Sequence, residues 1–191
     1  MNSSQQAFAD HDSVWVFGYG SLLYKADFPY RECRPATITG WVRRFWQGSH
    51  DHRGTPTAPG RVVTLIESPG SRCAGLAYRV SPDVLGPLDV REKNGYLRFA
   101  TPMAFHDGGT AQGLVYIATE RNPAFLGDAP LDEMARHIDR SHGPSGANRA
   151  YLVELARSLR ALGERDDHVF ALEAKLPVQC DARSAPGDEQ A

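Results

Sequence analysis

The sequence predicts an α+β fold in which helices pack around a small mixed β-barrel of about six strands, and in which the C-terminal part is rich in helix. Two observations lead to this fold class. Short strand-like stretches, bounded by Gly, Pro or Asp clusters, fill residues 14–119. From about residue 130 onward the apolar residues instead recur with helical spacing. Strands followed by helices along a chain are typical of α+β domains.

Six stretches with strand character lie within about 105 residues. Such a run of short strands separated by turn residues indicates a barrel or a strongly curled sheet. The predicted strands are residues 14–18, 37–48, 61–67, 74–80, 96–105 and 113–119.

Three helices are predicted in the C-terminal part, and in the first two of them apolar residues repeat with the i, i+3, i+4, i+7 spacing of one helix face. The third helix should cover residues 167–176. The residues expected to face the core are Leu131, Met134, Ala135 and Ile138 in the first helix, Tyr151, Leu152, Leu155, Leu159 and Leu162 in the second, and Val169, Phe170 and Leu172 in the third.

The length and composition predict one domain over residues 13–177, between flexible tails at 1–12 and 178–191. The chain has 191 residues, of which 41% are hydrophobic, enough for one well-packed core. Both predicted tails are polar or small-residue segments with little to bury.

Charge and cysteine content exclude several function classes. A net charge of -2 provides no global basic field for nucleic acid or anionic membrane. No apolar run is long enough to cross a bilayer, and the first residues do not resemble a signal peptide, so a cytoplasmic location is expected. Cys33, Cys73 and Cys180 form no CxxC motif, which argues for reduced thiols and against zinc or disulfide frameworks.

The segment VFGYGSLLYK places two glycines directly after the first predicted strand. Gly18 and Gly20 would therefore lie in a turn that ends a buried strand. Glycine suits a position where the backbone needs φ > 0 or where another group approaches too closely for a Cβ. Such a turn can direct several N–H groups at a bound anion or oxyanion. The alternative is a tight corner without a ligand, and the local sequence leaves both open.

The segment SPDVLGPLDVREKNGY, residues 81–96, predicts a helix that carries a carboxylate toward the core. Val84, Leu88 and Glu92 lie at i, i+4 and i+8 on one stripe. Gly86 and Pro87 should interrupt this helix and divide it into two short pieces. Burial would raise the pKa of Glu92. The alternative is a solvated glutamate in an ordinary Arg-Glu-Lys charge run.

Other motifs give weaker signals. Gly18-x-Gly20 lacks the third glycine of a dinucleotide-binding turn, no GxxxxGK[ST] loop occurs, and Ser21 has no GxSxG elbow. His50-Asp51-His52 is best interpreted as a polar loop. Residues 41–54 interleave arginines with aromatic residues, which suits either a single-strand nucleic-acid platform or alternation along a barrel strand.

Five blocks together resemble the ChaC family of γ-glutamylcyclotransferases, in the family's order over residues 14–176. The resemblance implies a barrel-centred α+β fold and cleavage of glutathione to 5-oxoproline and cysteinylglycine, without cofactor or metal. The blocks are VFGYGSLLYK, RRFWQGSHDHRGTPTAPGRVVTLIE, LDVREKNGY, NPAFLGDAPL and GPSGANRAYLVEL.

The resemblance also implies site residues. The family's essential glutamate, the general base and acid, falls on Glu92. Tyr151 would lie near the substrate, and Arg61 is a candidate partner for a substrate carboxylate. The backbone that holds the γ-glutamyl group falls on Val16, Phe17, Gly18, Tyr19, Gly20, Ser21 and Leu22.

The expected partner is a small-molecule substrate, glutathione or another γ-glutamyl compound, with neither nucleic acid nor membrane involved. Two alternatives to glutathione cleavage stay open. In the first alternative, the chain catalyses the same cyclisation on other γ-glutamyl amines. The second is a non-catalytic binding or regulatory protein with this fold.

Overall fold

The structure, a computed structural model, describes residues 12–91 and 95–178. These ranges form a closed five-stranded β-barrel with four α-helices, which confirms the predicted α+β class. The parts of the predicted tails at 1–11 and 179–191 lie outside the described residues. In the described ranges, no helix combines the length and the apolar character needed to cross a membrane.

The barrel closes through one parallel contact. Strand β5 pairs parallel with β1, whereas the other neighbours in the order β1-β3-β2-β4-β5 are antiparallel, so the barrel is mixed as predicted. The strands are β1 (Val14–Gly18), β2 (Glu32–Ser49), β3 (Gly60–Val80), β4 (Tyr96–Phe105) and β5 (Thr110–Ala118).

Strand β3 explains why the barrel has five strands and not about six. The stretches 61–67 and 74–80, predicted as separate strands, both belong to β3 and pair with the long strand β2. Between them the register shifts from Thr39 opposite Arg72 to Trp41 opposite Glu67. Pro69-Gly70 therefore lies in a bulge, where Gly70 adopts a φ of 81°. The turn residues interrupt the ladder without ending the strand.

The three predicted C-terminal helices are confirmed as α2 (Leu131–Arg140), α3 (Asn148–Ala161) and α4 (Asp167–Ala174). The GPSG break forms a two-residue hairpin, β6 (His142–Gly143) and β7 (Gly146–Ala147), between α2 and α3. Leu131, Leu162 and Phe170 are partly buried. Buried, as predicted, are Met134, Ala135, Ile138, Tyr151, Leu152, Leu155, Leu159, Val169 and Leu172.

The helix before Glu92 differs from the prediction in one respect. A 3₁₀ helix (Pro82–Val84) leads directly into α1 (Leu85–Arg91), which continues through Gly86 and Pro87. The expected interruption at these two residues is wrong, because Pro87 is the third residue of α1, where a backbone N–H has no intrahelical acceptor to lose. Val84 and Leu88 are buried as predicted.

One hydrophobic core joins the barrel interior to the inner faces of α2, α3 and α4. Its largest members, including Phe17, Phe45 and Leu65, are at most 2% exposed. Tyr19 and Tyr151 belong to the same cluster. The turn after β1 and the start of α3 are therefore packed against a common, rigid base.

Candidate active site

A pocket of about 430 Å³ opens where the end of β1, the end of β2 and the start of α3 meet. We call it the turn pocket and the turn of residues 18–22 the glycine turn. Sites for small molecules typically have volumes of about 300–1,000 Å³. The pocket is lined in part by Ser21, Tyr24, Ser49, Arg53, Tyr96 and Tyr151.

The glycine turn winds into a single turn of 3₁₀ helix (Ser21–Leu23). Its internal bonds begin at Leu23, whose N–H donates to the Gly20 carbonyl at 3.0 Å. The N–H groups of Gly20, Ser21 and Leu22 precede this first bond, and N–H groups at a helix start have no intrahelical acceptor. They are the turn's candidate donors to a bound carboxylate or oxyanion.

The glycine turn is anchored to the barrel on several sides. The Tyr19 hydroxyl donates to the Tyr116 carbonyl at 2.8 Å, and the Tyr19 carbonyl accepts from Arg43 Nε at 2.6 Å. The Tyr78 hydroxyl donates to the Leu22 carbonyl. The Tyr19 end of the turn is therefore fixed by buried hydrogen bonds and the Leu22 end by a partly buried one.

The two glycines are required for different reasons. A Cβ on Gly20 would lie 3.0 Å from Tyr151 Oη and 3.1 Å from Val63 Cγ2, so Gly20 permits a close approach at the pocket. A Cβ on Gly18 would lie 2.5 Å from Leu22 Cβ, so Gly18 permits the turn itself to close. Close approach, and not a left-handed backbone, explains both residues.

Tyr151 projects from the first turn of α3 toward the glycine turn. Its ring makes edge contacts with Phe45 at 5.8 Å and Tyr24 at 6.3 Å between centroids. Its hydroxyl accepts a long hydrogen bond, 3.4 Å, from the Val63 N–H. Burial is the main cause that raises the pKa of Tyr151 far above its ordinary value. The hydroxyl therefore stays protonated and keeps its proton for donation to a ligand.

Arg53 contributes a cation to the turn pocket from the loop after β2. Its guanidinium lies 5.7 Å from the Tyr151 ring centroid, and Nη1 donates to the Ala147 carbonyl at 3.1 Å. The backbone N–H of Arg53 donates to Ser49 Oγ at 3.0 Å, which fixes the loop. Arg53 is not among the predicted site residues, because a loop arginine has no periodicity; its signals in the sequence are its place in the second ChaC-like block and in the interleaved segment 41–54.

Comparison with known proteins identifies the family. A sequence model of the ChaC-like proteins matches residues 14–179. The chain belongs to the ChaC family. The "Glutathione-specific gamma-glutamylcyclotransferase 1" of Danio rerio is 43% identical over 184 residues, covering 90% of this chain and 93% of the relative. The "Gamma-glutamylcyclotransferase 2-3" of Arabidopsis thaliana is 44% identical over 172 residues, covering 84% and 86%.

Solved structures agree with this family. A crystal structure of the yeast γ-glutamylcyclotransferase specific to glutathione has a TM-score of 0.80 at 32% identity, covering 87% of this chain and 96% of the yeast chain. A further "Gamma-glutamyl cyclotransferase" structure has a TM-score of 0.57 at 18% identity and shows a shared fold alone.

Among the residues selected from the ChaC resemblance, the structure brings Gly20, Ser21 and Tyr151 together at the turn pocket. Val16 and Phe17 are at most 2% exposed and lie on opposite faces of β1, Phe17 in the main core and Val16 in a second apolar cluster that includes Val84 and Leu88. Their contribution to a ChaC-type site would come through the backbone.

Arg61 is not brought to the turn pocket. Successive side chains alternate across a strand, and it is the neighbouring Val62 that lines the pocket. Arg61 Nη1 instead donates to the carbonyls of Phe45 and Gly127, both at 2.9 Å. The guanidinium thus ties β2 to the loop that contains Gly127.

Glu92, the glutamate of the ChaC-like block, lies outside the described residues. The structure describes the backbone of α1 up to Arg91 and resumes at Gly95. Tyr96, four residues after Glu92 in the sequence, lines the turn pocket.

Proposed function

We propose that this ChaC-family chain is a γ-glutamylcyclotransferase that cleaves glutathione to 5-oxoproline and cysteinylglycine. The observation that carries the proposal is the turn pocket, in which the family's glycine turn meets Tyr151 and Arg53. The relatives that cover most of this chain, and the yeast structure at a TM-score of 0.80, are named for this reaction.

The reaction is an intramolecular acyl transfer. The glutamyl α-amine attacks the γ-carbonyl carbon, a C–N bond forms to close the five-membered ring, and the C–N bond to cysteine breaks. Well-oriented intramolecular reactions gain on the order of 7–11 kcal/mol over bimolecular ones, and because amine and carbonyl here belong to one molecule, the pocket contributes by holding them in the ring-closing geometry. The pocket therefore has to grip the γ-glutamyl group in a bent conformation.

Glu92 is the proposed proton carrier, which takes the proton from the attacking amine and returns it to the departing one. With ordinary pKa values of about 4.3 for Glu and about 7.7–8.0 for an α-amine, proton transfer from the amine to the carboxylate is uphill by roughly 5 kcal/mol. Burial raises the pKa of the carboxyl group and so reduces this difference. Two observations support this role: Val84 and Leu88, which lie eight and four residues before Glu92 in the sequence, are buried, and Tyr96, four residues after it, lines the pocket.

The remaining groups bind charge that the substrate carries or develops. The N–H groups of Gly20, Ser21 and Leu22 are the proposed donors to the γ-carbonyl oxyanion or the α-carboxylate. Arg53 is the proposed partner of a substrate carboxylate, because a planar guanidinium binds carboxylates in two-point fashion. Tyr151 is proposed as a protonated donor beside the glycine turn.

A small-molecule substrate is favoured over nucleic acid. In the interleaved segment 41–54, Arg43 is 2% exposed and Phe45 is fully buried, so neither is presented for base stacking or phosphate contact. Cys33 and Cys73 are free thiols, which supports the proposed cytoplasmic location. Cyclisation of other γ-glutamyl amines is the second candidate, because the glycine turn is proposed to bind the γ-glutamyl group and not the leaving group.

The deciding experiment incubates the purified chain with glutathione in the presence of a chelator and follows the products by mass spectrometry. Equal molar release of 5-oxoproline and cysteinylglycine is expected. A parallel incubation with γ-glutamyl-alanine separates glutathione from other γ-glutamyl amines as substrate. Absence of 5-oxoproline above the enzyme-free blank with glutathione would contradict the proposal, and release from γ-glutamyl-alanine alone would favour the second candidate.

A further inference from the structure

Arg43 is a buried cation that the reaction itself does not use. It lies on β2, and its side chain is 2% exposed. Its guanidinium donates three short hydrogen bonds: Nε to the Tyr19 carbonyl at 2.6 Å, Nη1 to Asp166 Oδ2 at 2.5 Å and Nη2 to the Ala74 carbonyl at 2.6 Å. A single side chain thus connects the glycine turn, the neighbouring strand β3 and the residue before α4.

Asp166 has two tasks in this connection. Its Oδ2 accepts from Arg43, and its Oδ1 caps α4 by accepting from the Val169 N–H at 3.1 Å. A capped α4 therefore presents a carboxylate at a fixed place for Arg43. The ion pair spans 123 residues of sequence, so it forms only when α4 docks against the barrel.

Stability alone is a poor explanation for this buried pair. Taking both charges out of water costs several kcal/mol per ion. Replacement of a buried ion pair by apolar residues of similar volume often leaves the folding stability unchanged or increases it. The pair has instead a specific target, because the third partner of the guanidinium is the carbonyl of Tyr19 in the glycine turn.

Tyr19 is fixed from the opposite side as well. Its hydroxyl donates to the Tyr116 carbonyl, and the Tyr116 hydroxyl donates to Asp89 Oδ1 at 2.8 Å in α1, the helix that precedes Glu92. The peptide between Tyr19 and Gly20 therefore lies between two buried anchors. The carbonyl of that peptide binds Arg43, and its N–H belongs to Gly20.

We infer that Arg43 is a positioning residue, held by Asp166, that sets the orientation of the Tyr19–Gly20 peptide and so aims the N–H groups of the glycine turn at the substrate. The inference rests on the proposed function for its catalytic meaning. Because a donor misplaced by about 1 Å can cost on the order of 10²-fold in rate, loss of this anchor should reduce turnover without removing any group that touches substrate.

The test compares Arg43→Met, Arg43→Lys and Asp166→Asn with a matched control, Arg160→Met. Arg160 also pairs with a carboxylate on α4, Glu173, but it connects α4 to α3 and not to the glycine turn. Asp166→Asn keeps a good helix-capping side chain and removes the charge, so it tests the ion pair if Arg43→Met does not fold. A polar cavity of about 450 Å³ borders Arg43 and Asp166, where water can replace a shortened side chain.

Two readouts are measured for each folded variant: kcat and KM with glutathione, scaled to the folded fraction, and hydrogen exchange of the peptide that covers residues 14–25. Arg43→Met is expected to lower kcat/KM by about 10–100-fold, mainly through kcat, and to speed amide exchange in this peptide. Arg43→Lys should recover part of the lost kcat/KM and part of the slow amide exchange. Arg160→Met should stay within about twofold of the parent chain in kcat/KM and in the exchange rate.

The inference is overturned if Arg43→Met and Asp166→Asn leave kcat/KM and exchange at parent values, or if they only lower the melting temperature to the extent that Arg160→Met does. A parent chain that releases no 5-oxoproline would instead refute the proposed function. In that case faster exchange in Arg43→Met still establishes that Arg43 positions the turn.

Discussion

Gly20 and Tyr151 meet so closely that a Cβ on Gly20 would lie 3.0 Å from the tyrosine oxygen. This contact joins the glycine turn after β1 to the first turn of α3. Both residues belong to ChaC-like blocks that are far apart in the sequence. Their contact therefore places the glycine turn directly beside Tyr151, which lines the turn pocket together with Ser21.

Replacement of Gly20 should damage the pocket without unfolding the barrel. Gly20→Ala already requires Tyr151 or Val63 to move, and Gly20→Val pushes them further, so kcat/KM with glutathione should fall progressively, by about 10²-fold for valine. Gly86→Ala is the control, because a Cβ there meets nothing within 4 Å and alanine favours the helix. Parent-like kcat/KM in Gly20→Val would show that the glycine turn changes the chain direction and has no role in binding substrate.

Glu92→Gln should keep the fold and substrate binding while it lowers turnover by about 10²–10⁴-fold, the usual size of a general acid–base contribution. Glutamine preserves size and hydrogen bonding but carries no transferable carboxylate proton. The measurement is 5-oxoproline release at saturating glutathione, with the exposed Glu67→Gln as control. A pure mutant with more than about a tenth of parent turnover would remove Glu92 from this role.

Arg53→Met should raise KM for glutathione by about 10–100-fold, since a hydrogen bond to a charged group contributes about 1.5–3 kcal/mol. The effect on kcat should be smaller, because the contact forms before the transition state. Glutathione with an amidated glycine carboxylate identifies the partner: if Arg53 binds that carboxylate, the amide substrate binds parent and variant equally weakly. An unchanged KM for glutathione in Arg53→Met would refute the assignment.

Arg61→Met, unlike Arg53→Met, should lower the stability of the fold and leave KM unchanged. Its guanidinium bonds the carbonyls of Phe45 and Gly127 and does not line the turn pocket, so the loss should appear as about 1.5–3 kcal/mol in the free energy of unfolding. Denaturant unfolding measures this change, and KM of the folded variant should match the parent. A raised KM at unchanged stability would return Arg61 to the substrate site.

His168 should make the fold sensitive to acid. Its Nε2 accepts a hydrogen bond from the Phe45 N–H at 3.1 Å, which requires the neutral ring. Burial, followed by the nearby Arg44, lowers the pKa of His168 to about 4. Below about pH 6.5 the unfolded chain binds a proton that the folded chain does not bind, so unfolding becomes easier as pH falls from about 6.5 to 4.

The measurement for His168 is the melting temperature across this pH range for the parent, His168→Gln and the exposed control His142→Gln. The fall of the melting temperature with decreasing pH should be smaller only in His168→Gln, because its amide oxygen can accept the Phe45 N–H hydrogen bond and does not titrate. An identical slope in all three proteins would assign the acid sensitivity to other groups.

Much of the fold was predictable from local patterns. The strand and helix periodicities identified the α+β class, and the helical stripes correctly selected buried residues such as Met134, Leu155 and Val169. These predictions succeed because burial of one face repeats at the period of the element. The same local reasoning divided β3 at Pro69-Gly70, where turn residues form a bulge that only the pairing with β2 reveals.

By itself, the sequence determined the ChaC-like blocks, most of the strand and helix content and the position of two glycines directly after β1, because each is a property of neighbouring residues. The tertiary structure alone decided that Gly20 meets Tyr151, that Arg53 and not Arg61 lines the pocket, and that Arg43 joins Asp166 to Tyr19. These relationships join residues far apart in the chain, and their geometry depends on barrel closure and helix docking, which no local periodicity encodes.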